Sequence, residues 1–466
     1  KVKYEHLNQY QDILKQIQKG VAYHHSGMLP ILKEIVEILF SKGLIKVLFA
    51  TETFAIGVNM PTKTVIFSEL QKFDNNGLRF LRSDEYNQMA GRAGRRGLDK
   101  FGTVLLIPTF DLPKENTLKS IMSGKSPELN SKFHLNYQFV LKTIINKEFD
   151  TNNYLENTFY KQDKNKIKVL DIEKKKIVED KINKMYQTTT DMKDKFEKMD
   201  SINNKLNDTF YVVKKKERMK MMNELKELKD IKNYKLHEDV YKIYKNLKAE
   251  LYDIDSTIWN IDYGMLQDMD SMKKLLLQND YIDNDNNVNK KGIIASCIAE
   301  VNELIVSEAV YKGYFDHLEF EEIVALLACL FNEKNQGEDD KYLSSMEIPD
   351  NLKYSIDKLI NISEKYTDNE SDLNILIGTD MNIYLDFVEP VYIWARGGTL
   401  KEVYTKTQVY EGNFVKLILR INNLIMNMKD IFIYMEKFDL LKKIENYEEI
   451  LLRDEVSVNS IYVDGL

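Results

Sequence analysis

The chain has 466 residues, more than one hydrophobic core accommodates, so about three domains are expected. Its 43% apolar and 30% charged residues exclude the disordered and fibrous classes and describe a globular protein. The formal net charge of −7 excludes a global basic field, so a nucleic-acid partner would have to be held by local cations lining a channel.

Residues 10–19 predict an amphipathic helix and residues 20–24 a short strand. A helix follows over 30–41, with Pro30 suited to its first turn. Residues 46–50 and 64–67 are continuous apolar runs, the pattern of parallel strands covered on both faces. Residues 83–86 open a short helix, and 102–107 read as a buried strand. This alternation predicts a doubly wound α/β domain with ligands at the carboxyl ends of its strands. Two loops stand at those ends. The first, residues 24–28, reads His-His-Ser-Gly-Met; the second, residues 50–61, carries Thr51, Glu52, Gly57 and Asn59. By themselves the two histidines are a packed or capping pair, since no third metal ligand is near, and Thr51-Glu52-Thr53 is a helix cap.

The most distinctive run is Gln88-Met89-Ala90-Gly91-Arg92-Ala93-Gly94-Arg95-Arg96-Gly97. Glycine lets backbone approach a ligand closely, and arginine offers a fixed fork of donors suited to phosphate oxygens. On composition alone the run is equally a solvated basic turn. Its spacing, however, resembles motif VI of superfamily-two helicases, and the loops at 24–28 and 50–61 resemble the motifs that precede it in the second RecA-like domain. The Gly57-x-Asn59-Met60-Pro61 ending is similar to that of the Ski- and Mtr-type RNA helicases, which assist the exosome. The resemblance implies that Arg92 and Arg95 are catalytic and face the terminal phosphate of ATP. It implies that Gln88, Gly57 and Asn59 serve the nucleotide cleft, and that Ser26, Gly27, Thr51 and Glu52 contact RNA.

No Gly-x-x-x-x-Gly-Lys-Ser/Thr and no Asp-Glu-x-His occurs in the sequence. Ser123-Gly124-Lys125-Ser126 is rejected as a phosphate loop, because Lys119 stands where the first glycine belongs and a helical pattern precedes it. The chain begins at Lys1 rather than Met. We therefore expect a fragment whose cofactors, ATP and Mg, are bound mainly by a first RecA-like domain that is missing, and which does not hydrolyse ATP alone.

Beyond residue 108 the pattern turns helical. Residues 130–145 predict a surface helix packing Phe133, Tyr137, Val140, Leu141 and Ile144. Residues 161–260 are strongly charged, and Leu236, Val240, Ile243, Leu247, Leu251, Ile254 and Ile258 recur at steps of three and four. They predict two antiparallel helices turning near 200–208, with arms of roughly 40 residues and about 60 Å. Residues 272–278 predict a short helix, and 281–288 a β-ribbon with an Asn/Asp turn. The family resemblance extends here. Residues 126–160 and 261–292 resemble the two parts of a winged helix, and the stalk between them stands at the place of the family's arch, without an RNA-binding head.

The remainder predicts helices over 293–311, 320–330 and 352–366, with Trp394 in the core. Lys416 and Arg420 stand four apart and share a helix face, by default a solvated one. From residue 318 onward the chain resembles the helical C-terminal domain of the same helicases, including Trp394-Ala395-x-Gly397 and Glu411-Gly412-x-x-x-Lys416. The resemblance implies a ratchet helix along the nucleic-acid channel with Lys416 and Arg420 on RNA, although Leu419, Asn422 and Asn423 depart from the family's charge there. Cys297 and Cys329 are expected as buried small side chains in a reducing compartment, with no metal site. No leader and no run of about 18 apolar residues occurs, so no membrane span is expected and the setting is intracellular, nuclear or cytoplasmic. Richness in Lys, Asn and Ile fits an AT-rich genome such as that of a parasite or a large DNA virus.

The expected architecture is α/β plus α. It comprises a second RecA-like domain (1–125), a winged helix (126–160 and 261–292) interrupted by a helical stalk (161–260), and a C-terminal helical bundle (293–466). The expected activity is that of an ATP-dependent 3′-to-5′ RNA helicase. It would take single-stranded 3′ tails and work with the exosome or other RNA-decay factors. Two other classes stay open: a DNA-repair helicase, against which the stalk counts, and a non-catalytic RNA clamp.

Overall fold

A computed structural model describes residues 7–464, apart from 53, 55–61, 75–76, 95–96, 98, 108–112, 125–128, 130, 132, 208–214, 231–233, 334–341, 377–379, 408 and 458–459. It divides into two compact units, one of residues 1–129, 136–146 and 273–466, the other of 130–135 and 147–272.

The first unit opens with α1 (Asn8–Ile17), β1 (Val21–His24), α2 (Pro30–Ser41) and β2 (Val47–Ala50). Pro30 takes the first turn of α2, and Gly43 follows its end with φ +71°, where a side chain would be strained. β1 and β2 pair in parallel, Val21 opposite Val47 and His24 opposite Ala50. Next come β3 (Thr64–Phe67), the antiparallel hairpin of β4 (Gln71–Asp74) and β5 (Gly77–Phe80), α3 (Ser83–Ala90), β6 (Thr103–Leu106) and α4 (Glu115–Ser123). β3 pairs in parallel with β6, and Phe67, Leu70, Leu81, Tyr86 and Ile121 close a core beneath them.

The expected single doubly wound sheet is thus two separate parallel pairs among the described residues. The reason lies in coverage. α1 and α2 both pack on β1, while β2 leaves Val47 and Phe49 at 49% and 66% exposure. The hairpin at 71–80 was not expected, although a Gly77 at φ +110° after two asparagines is an ordinary hairpin signal.

Residues 130–145 give only α5 (Tyr137–Ile145), started by Asn136, whose side chain accepts from the Phe139 N–H at 2.7 Å. It is not a surface helix: Tyr137, Val140 and Leu141 are fully buried. The second unit holds α6 (Thr151–Glu156), α7 (Phe159–Asn207), α8 (Lys215–Lys229) and α9 (Tyr234–Gln278) as far as Met272. α7 and α9 run antiparallel. Lys168 pairs with Asp262 at 2.5 Å, Lys175 with Asp255 at 2.7 Å and Lys245 with Asp200 at 2.6 Å, so numbers rise on one helix as they fall on the other. Val178 and Ile182 meet Ile254, Leu247, Leu251 and Ile258 along the seam.

Two expectations need correction here. α8 was not foreseen, because its Lys, Glu and Met run carries no clear apolar stripe. The short helix at 272–278 is the tail of the 45-residue α9, whose Gly264 meets only Asn260 Cβ at 3.9 Å and does not break it. The β-ribbon shrinks to one antiparallel bridge, Ile282 to Val288, across a turn in which Asp283 accepts from the backbone of Asp285 and Asn287.

The bundle comprises α10 (Lys290–Cys297), α11 (Glu303–Tyr311), α12 (Phe320–Ala328), α13 (Asp350–Asp372), α14 (Val388–Ala395), α15 (Leu400–Thr407), α16 (Glu411–Tyr434), α17 (Phe438–Lys443), α18 (Tyr447–Leu451) and α19 (Ile461–Asp464). The predicted helix over 293–311 breaks in two because Asn302 caps a new start, accepting from Leu304 and Ile305 N–H at 3.1 Å each. Trp394 is fully buried, as expected. Its Nε1 donates to Leu451 O at 3.1 Å, and the Arg453 guanidinium lies 3.6 Å from its ring centroid. Cys329 is buried, and burial pushes its thiol up. Cys297 is exposed, against expectation: it ends α10, and Ile298 takes the inward place. Among the described residues no helix is long and apolar enough to cross a membrane.

Candidate nucleic-acid interface

The loop after β1 is built by small backbone contacts. His24 is buried, its Nε2 2.9 Å from Glu37 Oε1 on α2, and the Phe54 ring meets it edge-on. His25 stacks on Tyr23, and its Nδ1 accepts from Gly27 N–H at 3.2 Å. Burial, then His24 and Lys33, hold the His25 imidazole below its ordinary pKa. The pair is therefore packed and hydrogen-bonded, and among the described residues no group of three or more candidate ligands stands ready for a metal. Gln9 clamps the loop, donating to Gly27 O at 3.3 Å and accepting from Leu29 N–H at 2.8 Å.

The start of α16 is laid directly on this loop. Gly412 N–H donates to Gly27 O at 3.1 Å, and a Cβ on Gly412 would stand 2.3 Å from Met28 O. Only glycine fits that approach. Ser26 stays exposed at the rim, while Gly27 is buried by the contact. Further along α16, Lys416 and Arg420 lie on the partly exposed side with Leu419 and Asn423, and Asn422 turns inward. Arg420 is already engaged: it donates to Glu333 at 3.1 Å, nears Glu300 at 3.9 Å and sits over the Phe331 ring.

After β2, Thr51 is exposed and its N–H donates to His24 O at 3.1 Å, which ties the second loop to the first. Glu52 pairs with Lys72 on β4 at 2.6 Å; Lys72 in turn pairs with Glu85 on α3, which accepts two further bonds from Arg79 at 2.8 Å. The Arg79 guanidinium holds the Glu85 carboxyl well below the usual carboxylate range. Lys72 and Arg79, on the unforeseen hairpin, thus anchor Glu52.

The Gly/Arg loop follows α3. Gln88 is exposed on the helix and Arg92 half-buried just beyond it. Arg92 O accepts from Thr62 N–H at 2.9 Å, and Gly94 N–H donates to Thr62 O at 2.7 Å. Gly94 has φ +92°, and a Cβ on Gly102 would stand 2.3 Å from Ala93 O. Two glycines therefore seal the loop backbone against its neighbours, and arginine forks and backbone N–H groups are the kinds of donor that fit a polyphosphate. Gly57, Asn59 and Arg95 lie outside the described residues.

Residues 2–97 match the helicase conserved C-terminal domain, and residues 285–458 match the DSHCT (NUC185) domain. The DExH-box ATP-dependent RNA helicase DExH9 of Arabidopsis thaliana is 50% identical over 154 residues, 33% of this chain and 16% of that protein. The exosome RNA helicase MTR4 of Homo sapiens is 48% identical over 155 residues, 33% of this chain and 15% of that protein. The antiviral helicase SKI2 of Saccharomyces cerevisiae is 54% identical over 128 residues, 28% of this chain and 10% of that protein. Each match spans a small part of the relative's own length. By these two domains and by the motif residues at 24–28 and 88–97, the chain is similar to the C-terminal portion of the Ski/Mtr-type DExH helicases.

Proposed function

We propose that the complete protein is an ATP-dependent RNA helicase of the exosome-assisting kind, moving 3′ to 5′ on a single-stranded tail. In this reading residues 1–125 are the second RecA-like domain, 126–160 with 261–292 the winged helix, 161–260 the stalk and 293–466 the ratchet-bearing bundle. The observation that carries it is the contact of Gly27 with Gly412, which joins a motor loop and the helix bearing Lys416 into one unit. Support comes from the relatives, which are named as RNA helicases.

ATP with magnesium supplies the transferring phosphoryl group, held mainly by a first RecA-like domain. This chain's part is to present Gln88 and Arg92, with Gly57, Asn59 and Arg95, from the other side of the cleft. Thr62 and Gly102 fix the loop backbone that carries Arg92, and a preorganised backbone lowers the cost of presenting it to charge. Ser26, Gly27, Thr51 and Lys416 line the strand. Glu52 supports that lining through Lys72, and Arg420 acts mainly by pinning α16 to Glu333.

The test is Arg92→Ala in the full-length protein. RNA-stimulated ATP hydrolysis falls by at least about 100-fold, as for a phosphoryl-transfer arginine, while RNA still binds. Near-normal turnover would overturn the assignment.

A further inference from the structure

Two lysines far apart in sequence flank one junction, and neither is held in an ion pair among the described residues. Lys33 stands one helical turn past Leu29, the cap of α2, and Lys416 one turn past Gly412 on α16. The two helix starts meet at the contact of Gly27 with Gly412, so the lysines flank the same junction. Burial first, then the Lys416 amine, pulls the Lys33 amine below its ordinary value, and Glu37 and Glu34 offset only part of that pull.

The neighbouring acids are occupied elsewhere. Glu34 accepts from Ile461 N–H at 2.6 Å, and Glu37 is shared by His24 at 2.9 Å and Tyr462 OH at 2.8 Å. Glu411 is buried and faces Glu455 and Asp12. Among the described residues neither lysine has an ion-pair partner, whereas Arg420, Lys437 and Lys443 each pair with a carboxylate. Two half-buried cations that repel each other gain from an anion placed between them.

We propose that Lys33 and Lys416 together seat one backbone phosphate of the bound RNA strand, Lys33 from the motor side and Lys416 from the ratchet helix. Lys33 lies outside the motif-like runs at 24–28, 50–61 and 88–97. The proposal rests on the RNA-helicase reading, and it gives the junction a purpose: each phosphate is gripped by two elements at once. Lysine acts here as a point charge without a fixed fork, so the seat accepts a moving strand and reads no base.

The experiment uses the full-length protein with a 3′-tailed RNA at several salt concentrations, comparing Lys33→Ala, Lys416→Ala, the double variant and Lys33→Arg. Each alanine variant weakens binding roughly five- to tenfold for every RNA sequence, and the salt slope falls by about 0.7 for one lost phosphate. The double variant loses less than the two single losses multiplied, because both serve one phosphate, and Lys33→Arg keeps most of the binding. ATP affinity stays unchanged, which separates a strand phosphate from a nucleotide. If Lys33→Ala binds RNA like the unaltered protein while Lys416→Ala is weakened, the seat is wrong and the helicase reading stands. If the unaltered protein binds no RNA, both fall.

Discussion

The body around α16 and the arm of α7 and α9 are both helical, yet they hold themselves together differently. More than half of the 24 residues of α16 are buried, and Phe414, Phe432 and Trp394 around it are fully covered. The arm has one narrow seam, and Ile167, Leu170, Ile177, Tyr252 and Trp259 stand exposed beside it. Its register is kept by lysine–aspartate pairs, each worth little in solvent. A close-packed body fails at single atoms, whereas a seam kept by many small terms gives way gradually. The site was built where positions are fixed to fractions of an ångström.

The sharpest way to break the comparison is one added methyl in the body. Gly412→Ala drives a Cβ to 2.3 Å from Met28 O, and neither backbone can yield cheaply. We expect a loss of about 3 kcal/mol in denaturant unfolding and, under the proposed function, a loss of RNA unwinding by the complete protein. A variant as stable as the parent would mean that α16 is not tied to the loop.

A second probe sharpens the electrostatic side. Glu411 is 3% exposed, one of its oxygens has no hydrogen-bond partner among the described residues, and burial, then Glu455 and Asp12, pushes its carboxyl up to about 7. Between roughly pH 4.5 and 7 the folded state holds a proton that the unfolded chain has released, so stability falls as pH rises through that window and the penalty is complete above it. Glu411→Gln removes the penalty. It gains on the order of 2 kcal/mol at pH 8 and nothing at pH 4.5, read as the difference in Tm across the series. An equal difference at both ends would rule out titration at this position.

The smallest effect carries the opposite sign. Gly264 lies inside α9 with open space around it, so Gly264→Ala stabilises the arm by about 0.5–1 kcal/mol through backbone entropy and helix propensity. Hydrogen exchange of the arm amides reports it; a destabilised arm would show that Gly264 has an unseen close neighbour.

What was legible in the sequence followed local rules. α2 begins at Pro30 and ends at Ser41, as its apolar period and its proline predict. The antiparallel sense of the arm followed from its apolar repeat. The sheet was over-read: runs such as 46–50 encode apolar strands, but which faces are covered depends on helices placed by the rest of the chain. At the site, Gly412 meets Gly27, next to Ser26 and one helical turn before Lys416. Lys33 carried no signal at all, because its meaning arises only when Gly412 folds back onto Gly27. Arg420 and Glu52 looked like open contacts, and their partners Glu333 and Lys72 could not be guessed from spacing.

The same fold-back has a consequence for the arm. Segments before and after it are interleaved: Tyr137 donates to Glu370, Gln138 N–H to Glu303, Gly412 N–H to Gly27, and Tyr462 to the Glu37 that holds His24. The two stretches are halves of one folding unit, each carrying the other's missing contacts. The arm then serves as a tether that sets their effective concentration, and we expect a chain opened within α8 to leave two pieces that still associate.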